Sequence, residues 1–563
     1  MNTPIEPSLA TSGRTAHWQL RDSHALLLLL IIAVTHFYSL LFGGWRGDDP
    51  AILWHAMNSS GLSAFHDPAD WQKLSPNNLT PWITLSFKLD LWLAGPDPLF
   101  FYQHQLLSLC LAATAAYALG RCWLPPAWSL AFACLFLAGA PTTAVVEALM
   151  TRHYLEGLLF AILAVIAFVL AQRRQHSGWV ALGALAYALA ATAKEIFVPL
   201  PLVLLAMPPF GRIAERARLL APYFCVALAY VIWRQYMLGG VTGGYAAGQA
   251  LDLPALLTQT IQTFAGFPRL ILGPYWPLPT IILGAALTFY LSKRPAGLPL
   301  ALMLGLCLLG PLVPLVFFPG IHSPDRYLFL VWFAVSLASI LSVRFAVSYL
   351  PGGKVVQRGG AALVFLMTIV PLIGQDRAVS AVRQTYYQEY DVQGKFMLEA
   401  GAEQAWIPSP TLTSTYWFVT QLCEIKRSTG LSCPTVLFKG VPAAVPVRQL
   451  YRYDPQQKQM VDISARLEAE IAQTMAVDET RPLTARVSIE NGHAAWQFGP
   501  YEEGQYFIAS ASLGRYPVSR VGSIKTALTA VPLHLQYESP EGWTTRSPLL
   551  WVRPGQPIDW ARR

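Results

Sequence analysis

The hydrophobic positions of this chain fall in long unbroken runs up to about residue 375 and in short alternating stretches after it. A helix needs about 20 consecutive apolar residues to cross a bilayer, and the first run, His24 to Gly43, meets that length. On the same criterion the sequence predicts about eleven membrane spans, centred near residues 33, 109, 132, 162, 185, 202, 228, 280, 307, 335 and 368. The two near 185 and 202 are short and are separated by Thr192-Ala193-Lys194-Glu195, so they read as two spans or as one broken helix. The stretch from Leu79 to Leu93 sets Lys88 and Asp90 among Trp, Leu and Phe. It reads as an amphipathic helix lying in the interface, with Trp82 and Trp92 at headgroup depth; the alternative is a twelfth span.

Residues 376–563 are polar and hold no span. Val461, Ile463, Leu467, Ile471 and Met475 recur at roughly helical spacing and predict a helix over 459–475. From about residue 484 the alternation has the period of a strand: Ala-Arg-Val-Ser-Ile-Glu, then Gln-Tyr-Phe-Ile-Ala-Ser-Ala-Ser-Leu, then Leu-His-Leu-Gln-Tyr. Turn signals separate these runs, so a small antiparallel, sandwich-like β domain is expected. Trp496, Trp543 and Trp551 serve its core or stack on sugar rings. The chain thus divides into an N-terminal tail (1–23), an all-α polytopic membrane domain (24–375) with a long outer loop (44–98), and a C-terminal α+β domain (376–563).

Composition agrees: of 563 residues, 54% are hydrophobic and 13% charged, where soluble domains carry about 25% charged residues. The formal charge of +8 is accounted for by short basic loops, not by a nucleic-acid partner. Arg14 and Arg21 precede the first span. Arg121, Arg173-Arg174, Arg212 with Arg216 and Arg218, Lys293-Arg294, and Arg344 with Lys354 and Arg358 fall in every second loop. The positive-inside rule puts these in the cytoplasm, which places the N-terminus inside and, after eleven spans, the C-terminal domain outside. The first run lacks a small-residue cleavage site and reads as a retained helix. The seven cysteines show no metal-site spacing. Cys423 and Cys433 could form a disulfide if their domain is extracytoplasmic.

The opposite loops mix signs. They hold Asp48-Asp49, Glu147 with Arg152 and His153, Lys194-Glu195, Arg234 near a helix end, and Asp325-Arg326. Each alone reads as a structural pair or a solvated loop. Together on one face they are functional candidates, because ionisable groups at a membrane boundary are expensive to keep.

These motifs, in order, resemble the C-type (GT-C) glycosyltransferases, polytopic enzymes that use polyprenyl-phosphate sugars. The likeness is to the protein O-mannosyltransferases and the related transmembrane proteins with tetratricopeptide tails, and it covers about residues 25–345. The acidic pair after the first span is Asp48-Asp49. The interfacial stretch is Asn78-Leu79-Thr80-Pro81-Trp82-Ile83-Thr84-Leu85-Ser86-Phe87, without the family's Arg-Pro-Leu. Tyr102-Gln103-His104 loosely matches the start of the second span. Pro141, Glu147 and Arg152 match a segment whose His is absent here. Ala193-Lys194-Glu195 and Asp325-Arg326-Tyr327-Leu328 match two further signatures. The tail does not resemble tetratricopeptide repeats, and the departures put mannose as the sugar in doubt.

The resemblance implies an inverting transfer of a sugar from a polyprenyl-phosphate donor to an acceptor hydroxyl of a protein, glycolipid or polysaccharide. Asp48 would be the general base and Asp49 would hold the acceptor or the site. Arg152, Lys194, Arg326 and Arg234 would bind the donor phosphate. Glu147, His153, Glu195, Asp325 and His104 would support them. No cofactor or metal is required for a monophosphate donor; a pyrophosphate donor would call for a divalent cation, with the Asp pair as ligands. The expected location is a bacterial inner membrane with the site facing the periplasm. The rival readings are a polyprenyl-lipid flippase, which would carry charge deep in its spans, and an inactive envelope scaffold.

Overall fold

The computed structural model describes residues 20–207, 213–240, 253–293, 301, 303, 305, 325–351, 353–409, 416–441, 448–490, 493–510, 514–525 and 530–562. Most of the N-terminal tail, the expected span near 307 and the side chain of Asp325 lie outside the described residues. The chain divides into two compact units, residues 1–41 with 102–382 and residues 42–101 with 383–563. The first outer loop therefore groups with the C-terminal domain.

The first unit is helical. Among the described residues, five helices are long and apolar enough to cross a membrane: Arg21–Phe42, Leu149–Arg174, Ala214–Leu238, Arg326–Val347 and Gly353–Glu399, the last continuing into the second unit. This is a multi-pass membrane protein. The spans expected near 185, 202 and 280 are the shorter apolar helices Ser177–Ala193, Glu195–Ala206 and Pro277–Ser292. The one near 109 is the helix Pro98–Arg121. The span expected near 132 is a pair, Pro126–Leu137 and Ala140–Val146, bent by 64°.

That bend has a local cause. Pro141 lies in the first turn after it, and a Cβ on Gly139 would come within 2.2 Å of the Trp332 indole. Interrupting an apolar helix strands backbone carbonyls, which must find other donors where water is absent. Here Phe136 O accepts from Trp332 Nε1 (3.0 Å) and from Thr142 Oγ1 (2.6 Å). Val145 O accepts from Thr151 Oγ1 (2.6 Å) and Gln105 Nε2 (3.1 Å). The short helix Ala140–Val146 is thus held by side chains, and it delivers Glu147 and Arg152.

In the second unit the helix Trp82–Ala94 has 13 residues, fewer than the about 20 a span needs. Ile83, Phe87 and Asp90 are buried, while Leu89, Trp92 and Leu93 are exposed, an apolar surface suited to lipid. The helix Asp49–Asn58 ends where Lys88 Nζ donates to the carbonyls of Ala56 (3.1 Å) and Ser59, a cation placed at a helix C-terminus. Its buried His55 meets Thr84 Oγ1 and Asp70 O, both at 3.1 Å. Burial lowers the His55 pKa, against a smaller opposing pull from Asp70. The folded state thus holds this imidazole neutral, while the unfolded chain takes up a proton near pH 6.5. Stability from this group is complete above that pH and is lost as pH falls below it. The melting temperature should drop between pH 7.5 and 5.5, and His55→Gln should flatten that slope; an equal slope in the variant would assign it elsewhere.

Among the described residues the C-terminal domain has three sheets. Strands β1 (Gln404–Ile407), β2 (Thr435–Val436), β3 (Gln449–Asp454) and β4 (Gln459–Asp462) form the first, in the order β2-β1-β3-β4. Strand β1 runs parallel to both neighbours; this sheet precedes the region from about residue 484 for which an antiparallel domain is expected, and there every strand pair is antiparallel. The helix expected over 459–475 begins only at Leu467. Its first part is β4, which folds back on β3 with Tyr451 opposite Asp462. The Asp454 carboxylate accepts from the Gln456 and Gln457 amides in that turn.

Strands β5 (Leu483–Glu490), β6 (His493–Gly499), β9 (Val521–Lys525) and β13 (Ile558–Arg562) form the second sheet, in the order β13-β5-β6-β9. The third holds β7 (Gln505–Ser510), β8 (Gly514–Val518), β10 (Val531–Glu538), β11 (Thr544–Arg546) and β12 (Leu550–Val552). Alternate residues of β5 (Leu483, Ala485, Val487, Ile489) and of β10 (Val531, Leu533, Leu535, Tyr537) share one core, so these two sheets make the expected sandwich. Trp496 and Trp543 pack against that core; Trp551 is exposed.

Cys423 and Cys433 are bonded, tying the helix Tyr416–Ser428 to the segment before β2. Closing a loop this short stabilises by roughly 2–3 kcal/mol in the chain-entropy account. Cys423→Ser with Cys433→Ser should lower the unfolding free energy by about that amount, read as a lower midpoint in chemical denaturation. An unchanged midpoint would show that the bond contributes nothing to folding.

Candidate functional site

The acidic pair separates into two environments. Asp48 is exposed and precedes the helix Asp49–Asn58 without using its carboxylate to cap it. Asp49 is fully buried, and its Oδ2 accepts the Arg46 N–H at 2.9 Å. Asp49 therefore closes the turn on itself, and its charge lies at a favourable helix N-terminus. Tyr516 of β8, 39% exposed, lies within electrostatic reach of Asp48: loss of hydration pushes its phenol pKa up and the Asp48 carboxylate adds to the rise. The sequence carried no signal for Tyr516, because no local motif links it to a residue so far away in the chain.

In the helical unit, cations gather where helices break or begin. Arg152 starts the helix Arg152–Arg174 and is fully buried. Its Nε donates to Gln105 Oε1 (3.3 Å), and Nη1 lies 3.4 Å from His104 Nδ1. His104 in turn is 3.3 Å from Glu156. Lys194 is the extended residue between the helix Ser177–Ala193 and the turn Glu195–Phe197. Its ammonium stands 4.9 Å from the centre of the Tyr154 ring. Arg326, in the turn Asp325–Leu328, packs over Tyr327 at 5.0 Å. The buried His153 feels the charges of both Lys194 and Arg326, and Tyr154 feels that of Arg326. Arg152, His153, Tyr154, Lys194 and Arg326 thus share one neighbourhood.

The remaining candidates are engaged around it. Arg234 is ion-paired with Glu195, which fixes the break that presents Lys194. Glu147 accepts from Ser380 at 2.6 Å. Gln105, Tyr154 and Glu156 were not evident from sequence. Each lies within four residues of a motif residue, but none is a residue type that marks a site by itself. Such a cluster suits an anion: guanidinium forks match phosphate oxygens bidentately, and an ammonium adds a point charge. Among the described residues there is no group of three or more His, Cys, Asp or Glu placed to hold a metal ion.

No family model matches the chain, and no curated protein does. Solved structures do. The oligosaccharyltransferase AglB of Archaeoglobus fulgidus, in complex with an inhibitory peptide and a dolichol-phosphate, is 11% identical. That match covers 90% of this chain and 74% of that one, with a TM-score of 0.46. ArnT of Cupriavidus metallidurans, bound to undecaprenyl phosphate, is 12% identical over 82% of this chain and 93% of that one, with a TM-score of 0.45. The apo A. fulgidus oligosaccharyltransferase is 13% identical over 96% and 76%, with a TM-score of 0.47.

Proposed function

We propose that this protein is an inverting glycosyltransferase that moves a sugar from a polyprenyl-phosphate donor to an acceptor hydroxyl on the extracytoplasmic face of the membrane. The observation that carries this reading is the gathering of Arg152, Lys194 and Arg326 around His153 and Tyr154 at the ends of apolar helices. Like charges brought together in apolar surroundings repel, and a phosphate offsets that cost. A lipid-linked phosphate keeps its chain among the helices and its charge at their ends.

In the step itself the acceptor oxygen attacks the anomeric carbon, and its proton passes to Asp48. The bond from that carbon to the phosphate oxygen breaks, with the electron pair leaving on the phosphate. Arg152, Lys194 and Arg326 stabilise the charge that develops there. Asp49 holds the turn. Arg234 acts through Glu195 on the placement of Lys194. His104, Glu147 and His153 support the cluster.

The Cys423–Cys433 bond fits an oxidising compartment and agrees with the charge pattern that puts the C-terminal domain outside. We therefore assign the protein to a bacterial inner membrane, with its site and C-terminal domain in the periplasm. The partners are the lipid donor and an acceptor protein or glycolipid. The test compares glycans on envelope proteins and glycolipids in wild type, a deletion strain and an Asp48→Asn strain with matched protein levels. Loss of the same sugar in both mutants identifies the acceptor. Normal glycans in Asp48→Asn beside a defect in the deletion would overturn the base assignment and favour a flippase or scaffold.

A further inference from the structure

The segment that carries Asp48 is fastened at several points, and one of the fastenings comes from far along the chain. Asp391, on the helix Gly353–Glu399, accepts three hydrogen bonds. Its Oδ1 takes the Gly44 N–H at 3.0 Å and Arg46 Nε at 2.9 Å, and its Oδ2 takes Arg46 Nη2 at 2.7 Å. The guanidinium and the carboxylate are therefore paired fork to fork, the geometry that fixes orientation as well as distance. The same guanidinium lies 4.6 Å from the ring centre of Tyr387, one turn earlier on that helix. Beside it, the buried Trp45 packs edge-on against Phe101 at 5.0 Å. The Arg46 backbone exchanges hydrogen bonds with Asp49, at 2.9 Å each. Residues 44, 45, 46 and 49 are thus anchored, and Asp48 follows a Gly47 in the left-handed region at φ +51°. The glycine lets the chain turn there, and the Asp48 carbonyl accepts from the N–H groups of Ala51 (3.1 Å) and Ile52 (3.2 Å), so Asp48 sits between the helix that follows it and the anchored segment that precedes it.

We propose that Asp391 and Arg46 form a positioning clamp for Asp48, so that Asp391, some 340 residues further along the chain, governs the rate of sugar transfer without touching substrate. The inference rests on the reading of Asp48 as general base. A base displaced by about 1 Å can lose roughly a hundredfold in rate. Loss of the clamp should lower turnover and leave donor binding alone, since neither Arg152, Lys194 nor Arg326 is altered.

The experiment uses the full-length protein in the deletion strain, complemented at near-native level with wild type, Asp48→Asn, Asp391→Asn, Arg46→Lys and the exchange Arg46→Asp with Asp391→Arg. Glycan occupancy is read by mass spectrometry. Binding of undecaprenyl phosphate to the purified proteins is read in detergent. The clamp predicts at least a tenfold fall in occupancy for Asp391→Asn, with undecaprenyl phosphate affinity within twofold of wild type. It also predicts recovery of a third or more of the occupancy in the exchange variant, which a residue needed only for packing would not give. If Asp391→Asn does not accumulate, Arg46→Lys decides: it keeps the charge, loses the fork, and should lose three- to tenfold. Wild-type occupancy in Asp391→Asn or, failing that, in Arg46→Lys, beside none in Asp48→Asn, overturns the clamp and leaves the transferase reading standing. Wild-type occupancy in Asp48→Asn overturns the base reading itself.

Discussion

Asp48→Asn should lose at least a hundredfold in transfer rate while folding as wild type, since a positioned general base contributes about 10²–10⁴-fold. The substitution is isosteric. The side chain is exposed and makes no capping bond, so the start of the helix is left intact while proton acceptance is lost, together with the negative charge that Tyr516 feels. Asp49→Asn is the control. That carboxylate is buried and accepts the Arg46 N–H, so losing its charge should lower the melting temperature by a few degrees and reduce turnover less than Asp48→Asn does. The two variants therefore separate along different axes, rate for one and stability for the other. Turnover measured with equal amounts of folded protein checks this. If Asp49→Asn were the slower enzyme and Asp48→Asn nearly normal, the roles within the pair would be exchanged.

The sequence made legible what depends on local pattern. The apolar runs located the long helices near 33, 162, 228, 335 and 368, because lipid demands about 20 apolar residues whatever the rest of the chain does. The alternation of β5 and β10 located the sandwich, because a strand buried on one face must alternate. The break at Lys194 was visible as an interruption between two short runs. The bend at Gly139 was not, since Pro126–Leu137 and Ala140–Val146 read as one apolar stretch; Gly139 and Pro141 mark it locally, but the Trp332 indole packed against Gly139 comes from far along the chain. The strand β4 was hidden for a similar reason: Val461 and Ile463 fit a helical period, and only pairing with β3 decides otherwise. The ionisable candidates could be found one by one. Their division into a buried Asp49 and an exposed Asp48, or into a Lys194 packed on Tyr154 and an Arg234 tied to Glu195, depends on partners that no local pattern specifies.

That last division leads to the second large effect. Lys194→Ala and Arg326→Ala should each weaken undecaprenyl phosphate binding by tenfold or more, about 1.4 kcal/mol per factor of ten. Each cation packs on a tyrosine ring, a contact worth roughly 0.5–2 kcal/mol, so both variants should still fold. Arg152→Ala is a poorer probe. Its guanidinium is fully buried against Gln105 and His104, and removing it leaves those groups without their partner. Arg152→Lys, which keeps the charge and loses the fork, is the better one and should cost binding with less damage to the fold. Arg234 tests the logic from the other side. If it held phosphate directly, Arg234→Gln would weaken binding whether or not Glu195 were present. If it acts by holding Glu195, and so Lys194, then Arg234→Gln and Glu195→Gln should be non-additive, the double variant being no worse than the poorer single one. Additive losses in that cycle would move Arg234 from the supporting group into direct contact with the donor. Wild-type affinity in both Lys194→Ala and Arg326→Ala would remove the cluster from donor binding altogether.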